Sequence, residues 1–173
     1  GSVITAGSVF PALLDASLAR QVSGVMRSQI RREAESLLNI FGPDIRIGLN
    51  VTEADLSHGD FFEEMQTLVQ ETALSPANIV LEVTETMLLL DEEGSIRALL
   101  NTLDKRGFTI ALDDFGTGFS SLTHLRDFPI RIVKIDKDFI GSISHDHQSR
   151  LIVQAMVQMA KSLDIRLVAE GVE

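Results

Sequence analysis

Five short apolar runs, each separated from the next by a longer amphipathic stretch, constrain the fold of this chain more than any other feature. They are "IRIGLNV" (Ile45–Val51), "IVLEV" (Ile79–Val83), "FTIAL" (Phe108–Leu112), "RIVKI" (Arg131–Ile135) and "IRLVA" (Ile165–Ala169). Nearly continuous, β-branched-rich runs of this length are expected of strands buried on both faces. The stretches Phe61–Leu74, Asp91–Gly107 and His147–Asp164 carry helical patterning, and Ala16–Gly42 reads as a long helix stopping at Gly42-Pro43. Strand, helix, strand, repeated, predicts a parallel sheet with helices outside it. An open doubly wound sheet and a closed (β/α)₈ barrel both satisfy that pattern. No G-x-G-x-x-G follows the first run, so the dinucleotide-binding version loses support.

The ends of these runs are polar. The first reaches Asn50, the second Glu82 with Glu85 beyond it, the third Asp113-Asp114, the fourth Lys134 with Asp136, and the fifth Glu170. Parallel α/β folds gather the carboxyl ends of their strands on one face, so these groups are expected to meet. Left uncompensated, such a carboxylate cluster would raise its own pKa values and oppose folding. A hard divalent cation such as Mg²⁺, which takes oxygen ligands, resolves the conflict, and the number of oxygens suits two ions. Two-metal sites favour in-line displacement at phosphorus. Strand alternation predicts that Asp114 points away from Asp113. The loop Phe115–Ser121 is expected to shape a lid or phosphate cradle.

Plainer readings compete at each position. An acid after a strand is most often a helix N-cap, which covers Asp91 and Asp136. A lone aspartate pair is commonly a solvated turn, and Gly116 and Gly118 are what any tight turn uses. Recurrence over five runs favours the site. His58, His124, His145 and His147 read as surface residues.

Composition removes other classes. The 173 residues carry 25 acids against 15 bases, a formal charge of −10, which argues against a nucleic-acid polymer as partner. Without cysteine there is no disulfide framework and no thiolate zinc site, which suits a cytoplasmic setting. No apolar run approaches the ~18 residues of a membrane span, so no membrane contact is expected from this segment. Gly1-Ser2 reads as a cloning remnant.

The segments "LEVTET", "ALDDFGTGFSSL", "VKIDKDFI" and "VAEGVE" resemble, in this order, the hallmark segments of the EAL-domain family, bacterial phosphodiesterases that linearise cyclic-di-GMP to pGpG. "GLNVT" (Gly48–Thr52) is similar to the family's asparagine strand, and "ITAGSVFP" (Ile4–Pro11) to the approach to its first long helix. The resemblance implies a TIM-type barrel with one strand reversed and a site holding Mg²⁺ or Mn²⁺. It implies that Asn50, Glu82, Asp113, Asp114 and Glu170 are metal ligands, Asp113 bridging, with catalysis resting on Lys134, Glu170 and Asp113. Lys134 would orient or activate the attacking water and offset phosphate charge. Glu85 would anchor the loop after the aspartate pair, with Glu173 and Asp136 in supporting positions. Phe115, Gly116, Thr117 and Gly118 would form the substrate loop.

Two departures go with the resemblance. The Glu-Ala-Leu segment that names the family is not in these 173 residues, nor is the family's closing glutamine strand and helix. A barrel of about 250 residues spends about 31 on each strand-helix unit. The steps here, 32 from Asn50 to Glu82 and 31 to Asp113, match that unit. The expectation is therefore one partial EAL domain over residues 1–173, an incomplete barrel lacking its first and last strand-helix regions. Exposed edges then favour a homodimer. A parent protein anchored to a membrane through other domains remains compatible. The competing reading is a degenerate EAL domain that senses cyclic-di-GMP or serves as a protein-interaction module. The intact "DDFGTGFSS" loop and ligand set favour the enzyme.

Overall fold

Asp15 starts the first described helix by accepting the backbone N–H groups of Ser17 and Leu18 at 2.9 and 3.0 Å. Residues 15–91, 93–116 and 122–172 are described by the computed structural model, which divides into two units, Gly1–Ile79 and Val80–Glu173.

In the first unit, α1 (Ala16–Phe41) buries Ala19, Ser23, Arg27, Ile30 and Ala34, the three- and four-residue spacing of one helix face. It ends at Gly42, whose φ of +86° suits the residue without a side chain. Strand β1 (Ile47–Asn50) follows, then α2 (Glu53–Ser57) and α3 (Phe61–Gln70). Two polar devices hold these pieces. Asn78, in a 3₁₀ turn (Pro76–Asn78), donates through Nδ2 to the carbonyls of Pro43 and Ile45 at 2.7 and 2.8 Å. Asp55 on α2 is buried and accepts from Arg27 (3.2 Å) and Ser23 (2.8 Å) of α1. The same carboxylate accepts the Thr52 hydroxyl and backbone N–H at 2.6 and 2.9 Å. The turn two residues beyond Asn50 is thereby tied to α1.

The second unit is strand and helix in alternation. Its order is β2 (Ile79–Thr84), α4 (Glu85–Leu89), α5 (Ser95–Lys105), β3 (Thr109–Phe115), α6 (Leu122–Asp127) and β4 (Ile130–Ile135). Then come α7 (Lys137–Ser142), α8 (His147–Ser162) and β5 (Arg166–Ala169). Strands β2, β3, β4 and β5 pair in parallel in that order, as the repeated pattern requires. Val80, Ala111 and Ile132 form an apolar cluster across three neighbouring strands. Asp91 is a cap, as its plainer reading holds: its carboxylate accepts the N–H groups of Ile96 and Arg97 at 2.8 and 3.1 Å.

Three expectations need correction. Strand β3 runs to Phe115 rather than ending at Leu112, so both aspartates lie inside it. Strand β5 is not buried on both faces; Arg166, Val168 and Ala169 are exposed. His124 is buried on α6 rather than at the surface and packs edge-on against Phe128 with ring centroids 5.9 Å apart. A six-residue helix is too short to display the periodicity that would have marked its inner face.

Candidate metal centre

Strand alternation builds the site directly on the apolar cluster. Glu82, Asp113 and Lys134 each stand two residues beyond Val80, Ala111 and Ile132, so all three project from the same face, one step nearer the carboxyl ends. Glu170 follows β5 and is placed by its own N–H, which donates to the Ile135 carbonyl at 3.2 Å. The four side chains meet. Nζ of Lys134 lies 2.9 Å from Glu82 Oε2, 3.0 Å from Asp113 Oδ1 and 2.7 Å from Glu170 Oε1.

Burial works against the charged form of Lys134, but hydrogen bonds to Glu170, Glu82 and Asp113 outweigh it and hold the ammonium well above the ordinary lysine range. A group so held keeps its proton at neutral pH. As an ammonium it can neutralise and orient the three carboxylates around it.

Asp114 departs from expectation in an informative way. Strand alternation would turn it away from Asp113, yet oxygens of Asp113, Asp114 and Glu170 lie within 4.8 Å of one another. The reason is a register shift: Leu112 pairs with Val133 and Phe115 with Ile135, so β3 spends one residue more than β4. The extra residue is accommodated with Asp114 at φ +53°, a left-handed conformation that aspartate tolerates better than most. Burial first, then the charges of Asp113, Asp136 and Glu170, raise the Asp114 pKa above its ordinary value, with Lys134 opposing.

Several predicted residues surround this core. Glu85 opens α4, is buried, and has no hydrogen-bond partner for either carboxylate oxygen among the described residues. Asp136 is buried and caps α7 by accepting the Asp138 N–H at 2.8 Å, the cap its plainer reading anticipates. Phe115 is buried, and Gly116 follows at φ +103°. Asn50 ends β1 in the first unit with its side chain exposed. Thr117, Gly118 and Glu173 lie outside the described residues. Sequence reasoning missed Phe139 and Met156, which stand directly against Gly116. Only the glycine itself signalled a close approach there.

The donor set suits a hard divalent cation. It consists of carboxylate oxygens alone, drawn from two strand ends, and the neighbouring Lys134 shows that positive charge is already held at this position.

Comparison with known proteins places this geometry in context. The family model described as "EAL domain" matches residues 1–173. The bifunctional diguanylate cyclase/cyclic di-GMP phosphodiesterase MucR of Pseudomonas aeruginosa is 32% identical over 171 residues, 99% of this chain and 25% of that protein. The chain thus spans about a quarter of that relative's length. A solved structure of the PaMucR phosphodiesterase in complex with c-di-GMP superposes with a TM-score of 0.88 at 32% identity, covering 98% of this chain and 68% of that one. A manganese/cyclic-di-GMP complex of Klebsiella pneumoniae BlrP1 superposes with a TM-score of 0.82 at 26% identity, covering 98% of this chain and 42% of that one. These neighbours are EAL domains, whose fold is the TIM-type barrel.

Proposed function

The chain belongs to the EAL domain family, and on that ground we propose that it forms the catalytic part of a divalent-metal-dependent phosphodiesterase that opens cyclic-di-GMP to linear pGpG. The observation that carries the proposal is the meeting of Glu82, Asp113 and Glu170 around Lys134, with Asp114 brought to the same cluster by the irregularity in β3. Asp113, Asp114, Glu170 and Glu82 would hold Mg²⁺ or Mn²⁺, and Asn50 is added by its family position. Bound there, the metal would lower the cost of negative charge at the phosphate and at the incoming and departing oxygens.

The chain's own residues divide the remaining work. Lys134, protonated, faces the carboxylates and sets their orientation while offsetting phosphate charge. One water oxygen bonds to phosphorus as the bond from phosphorus to the 3′-oxygen breaks. A proton ends on that 3′-oxygen, leaving a 5′-phosphate on the linear product. Glu85, with two buried acceptor oxygens, is assigned to anchoring the segment after Gly116. Phe115, the last residue of β3, and Gly116 to Gly118 beyond it make up the substrate-facing segment, and Asp136 and Glu173 support it.

The proposal includes residues 1–173 as one partial EAL domain, acting in the cytoplasm without polymeric nucleic acid or membrane contact. It also includes a homodimer. Exposed Leu151, Ile152, Leu163 and Val168 around α8 and β5 support an apolar contact.

Chromatographic detection of pGpG after incubation with cyclic-di-GMP and Mn²⁺ tests the activity. Turnover that disappears with Asp113→Asn is the expected result, by at least about 100-fold. Nucleotide binding without product, in this chain and in one extended at both ends, would replace the enzyme by the sensor.

A further inference from the structure

Strand β4 lies between β3 and β5, and its last residue, Ile135, pairs with Phe115 on one side and Ala169 on the other. The chain leaves that point through Asp136 straight into α7, whose start is fixed by the Asp136 cap. This short helix then touches the exits of both neighbouring strands. Beyond β3, a Cβ added at Gly116 would lie 2.8 Å from Cε2 of Phe139 on α7 and 3.1 Å from Cε of Met156 on α8. Beyond β5, a Cβ added at Gly171 would lie 2.7 Å from Cβ of Lys137, the first residue of α7. Both glycines have positive φ, +103° and +66°. Gly116 is two residues past Asp114, and Gly171 is one past Glu170.

Two glycines therefore serve the same purpose twice. Each lets a strand exit turn in a left-handed conformation, and each lets α7 seat directly on the backbone there. Asp113 and Asp114 lie in the last residues of β3 and Glu170 just beyond β5, so what packs on these two exits bears directly on where their oxygens stand. We infer that Phe139 and Lys137 of α7 are positioning residues, Phe139 through Gly116 for Asp113 and Asp114, and Lys137 through Gly171 for Glu170. The inference rests on the metal reading of those three carboxylates.

Mn²⁺ affinity, read from the electron paramagnetic resonance signal of free Mn²⁺, tests it alongside the melting temperature in EDTA. Residues that orient ligands cost about 10- to 100-fold in metal affinity when removed. Phe139→Ala is expected to weaken Mn²⁺ binding about 10-fold, and Phe139→Leu, which keeps most of the volume and secures a folded variant, about 3-fold. Lys137→Gly, which removes the Cβ packed on Gly171, is expected to weaken binding by a similar small factor. Leu103→Ala, a fully buried position on α5 away from the cluster, is expected to lower the melting temperature and leave Mn²⁺ affinity unchanged. Native affinity in the Phe139 variants overturns the inference, as does an equal loss in Leu103→Ala. Native affinity in Asp113→Asn overturns it too, but at the ligands, and takes the metal reading with it.

Discussion

Lys134 and Asp114 stand in one cluster with opposite electrostatic consequences. Lys134 is 15% exposed and faces carboxylates that are 16%, 16% and 30% exposed, so solvent screens the contacts only in part. Its folded pKa lies above the unfolded value, so its contribution is complete below the ordinary 10.5 and is lost as pH rises from there through the folded value. Asp114 also has a raised folded pKa, but for an acid this means that the ionised form is the strained one. Its protonated form favours folding at low pH, and that advantage is lost as pH rises through its folded pKa. The two residues predict opposite shifts in metal-free protein at pH 7. Lys134→Met should destabilise by about 1–3 kcal/mol, below the cost of breaking a fully buried pair because the site is partly solvated. Asp114→Asn should raise the melting temperature while removing most of the stabilisation that Mn²⁺ confers. Thermal melts with EDTA and with Mn²⁺ check both, and a fall for both variants would contradict the assignment of strain to Asp114.

At the scale of elements, α1 shows how a helix can read clearly while its purpose stays hidden. Its length and its stop at Gly42 were visible in the sequence, as were α3, α5 and α8 from their periodicity. What periodicity could not show is that two positions on the buried face, Ser23 and Arg27, are polar because Asp55 waits opposite them. Arg27 also reaches Glu64 on α3 at 2.9 Å, so one guanidinium joins three helices. Arg27→Met is expected to cost about 3–5 kcal/mol because it leaves the Asp55 charge buried without its cation. The double change Arg27→Met with Asp55→Leu should recover much of that loss, and urea denaturation measures both. A single-variant cost below about 1 kcal/mol would mean that Asp55 is satisfied by Ser23 and Thr52 alone. The short helices α2, α4, α6 and α7 escaped sequence reasoning for a related reason, since five or six residues complete less than two turns. The irregularity in β3 escaped because alternation is the only signal a strand offers, and Asp113-Asp114 reads the same whether the second residue points away or is brought back. The convergence of Glu82, Asp113, Lys134 and Glu170 was legible because parallel topology alone dictates it.

For the whole molecule, charge decides how an anionic substrate can be approached at all. The chain carries −10, and at the proposed site Lys134 stands against Glu82, Asp113, Asp114 and Glu170. Its ammonium is already committed to three of those carboxylates, so little positive potential remains for a dinucleotide with two phosphodiester charges. Affinity for cyclic-di-GMP should therefore depend on the divalent cation, falling at least about 10-fold in EDTA, since one uncompensated charge contact is worth about 1.4 kcal/mol or more in a partly buried setting. Salt should act in opposite directions in the two states. Raising NaCl screens repulsion in EDTA and so recovers part of the binding, whereas with Mn²⁺ present it screens attraction and weakens it. Calorimetric titration of the nucleotide at low and high salt, with Mn²⁺ and with EDTA, separates these cases. If affinity in EDTA equals that in Mn²⁺ at both salt concentrations, recognition rests on the nucleobases and the loop rather than on the phosphates. The carboxylate cluster would then serve the reaction alone and contribute nothing to capture.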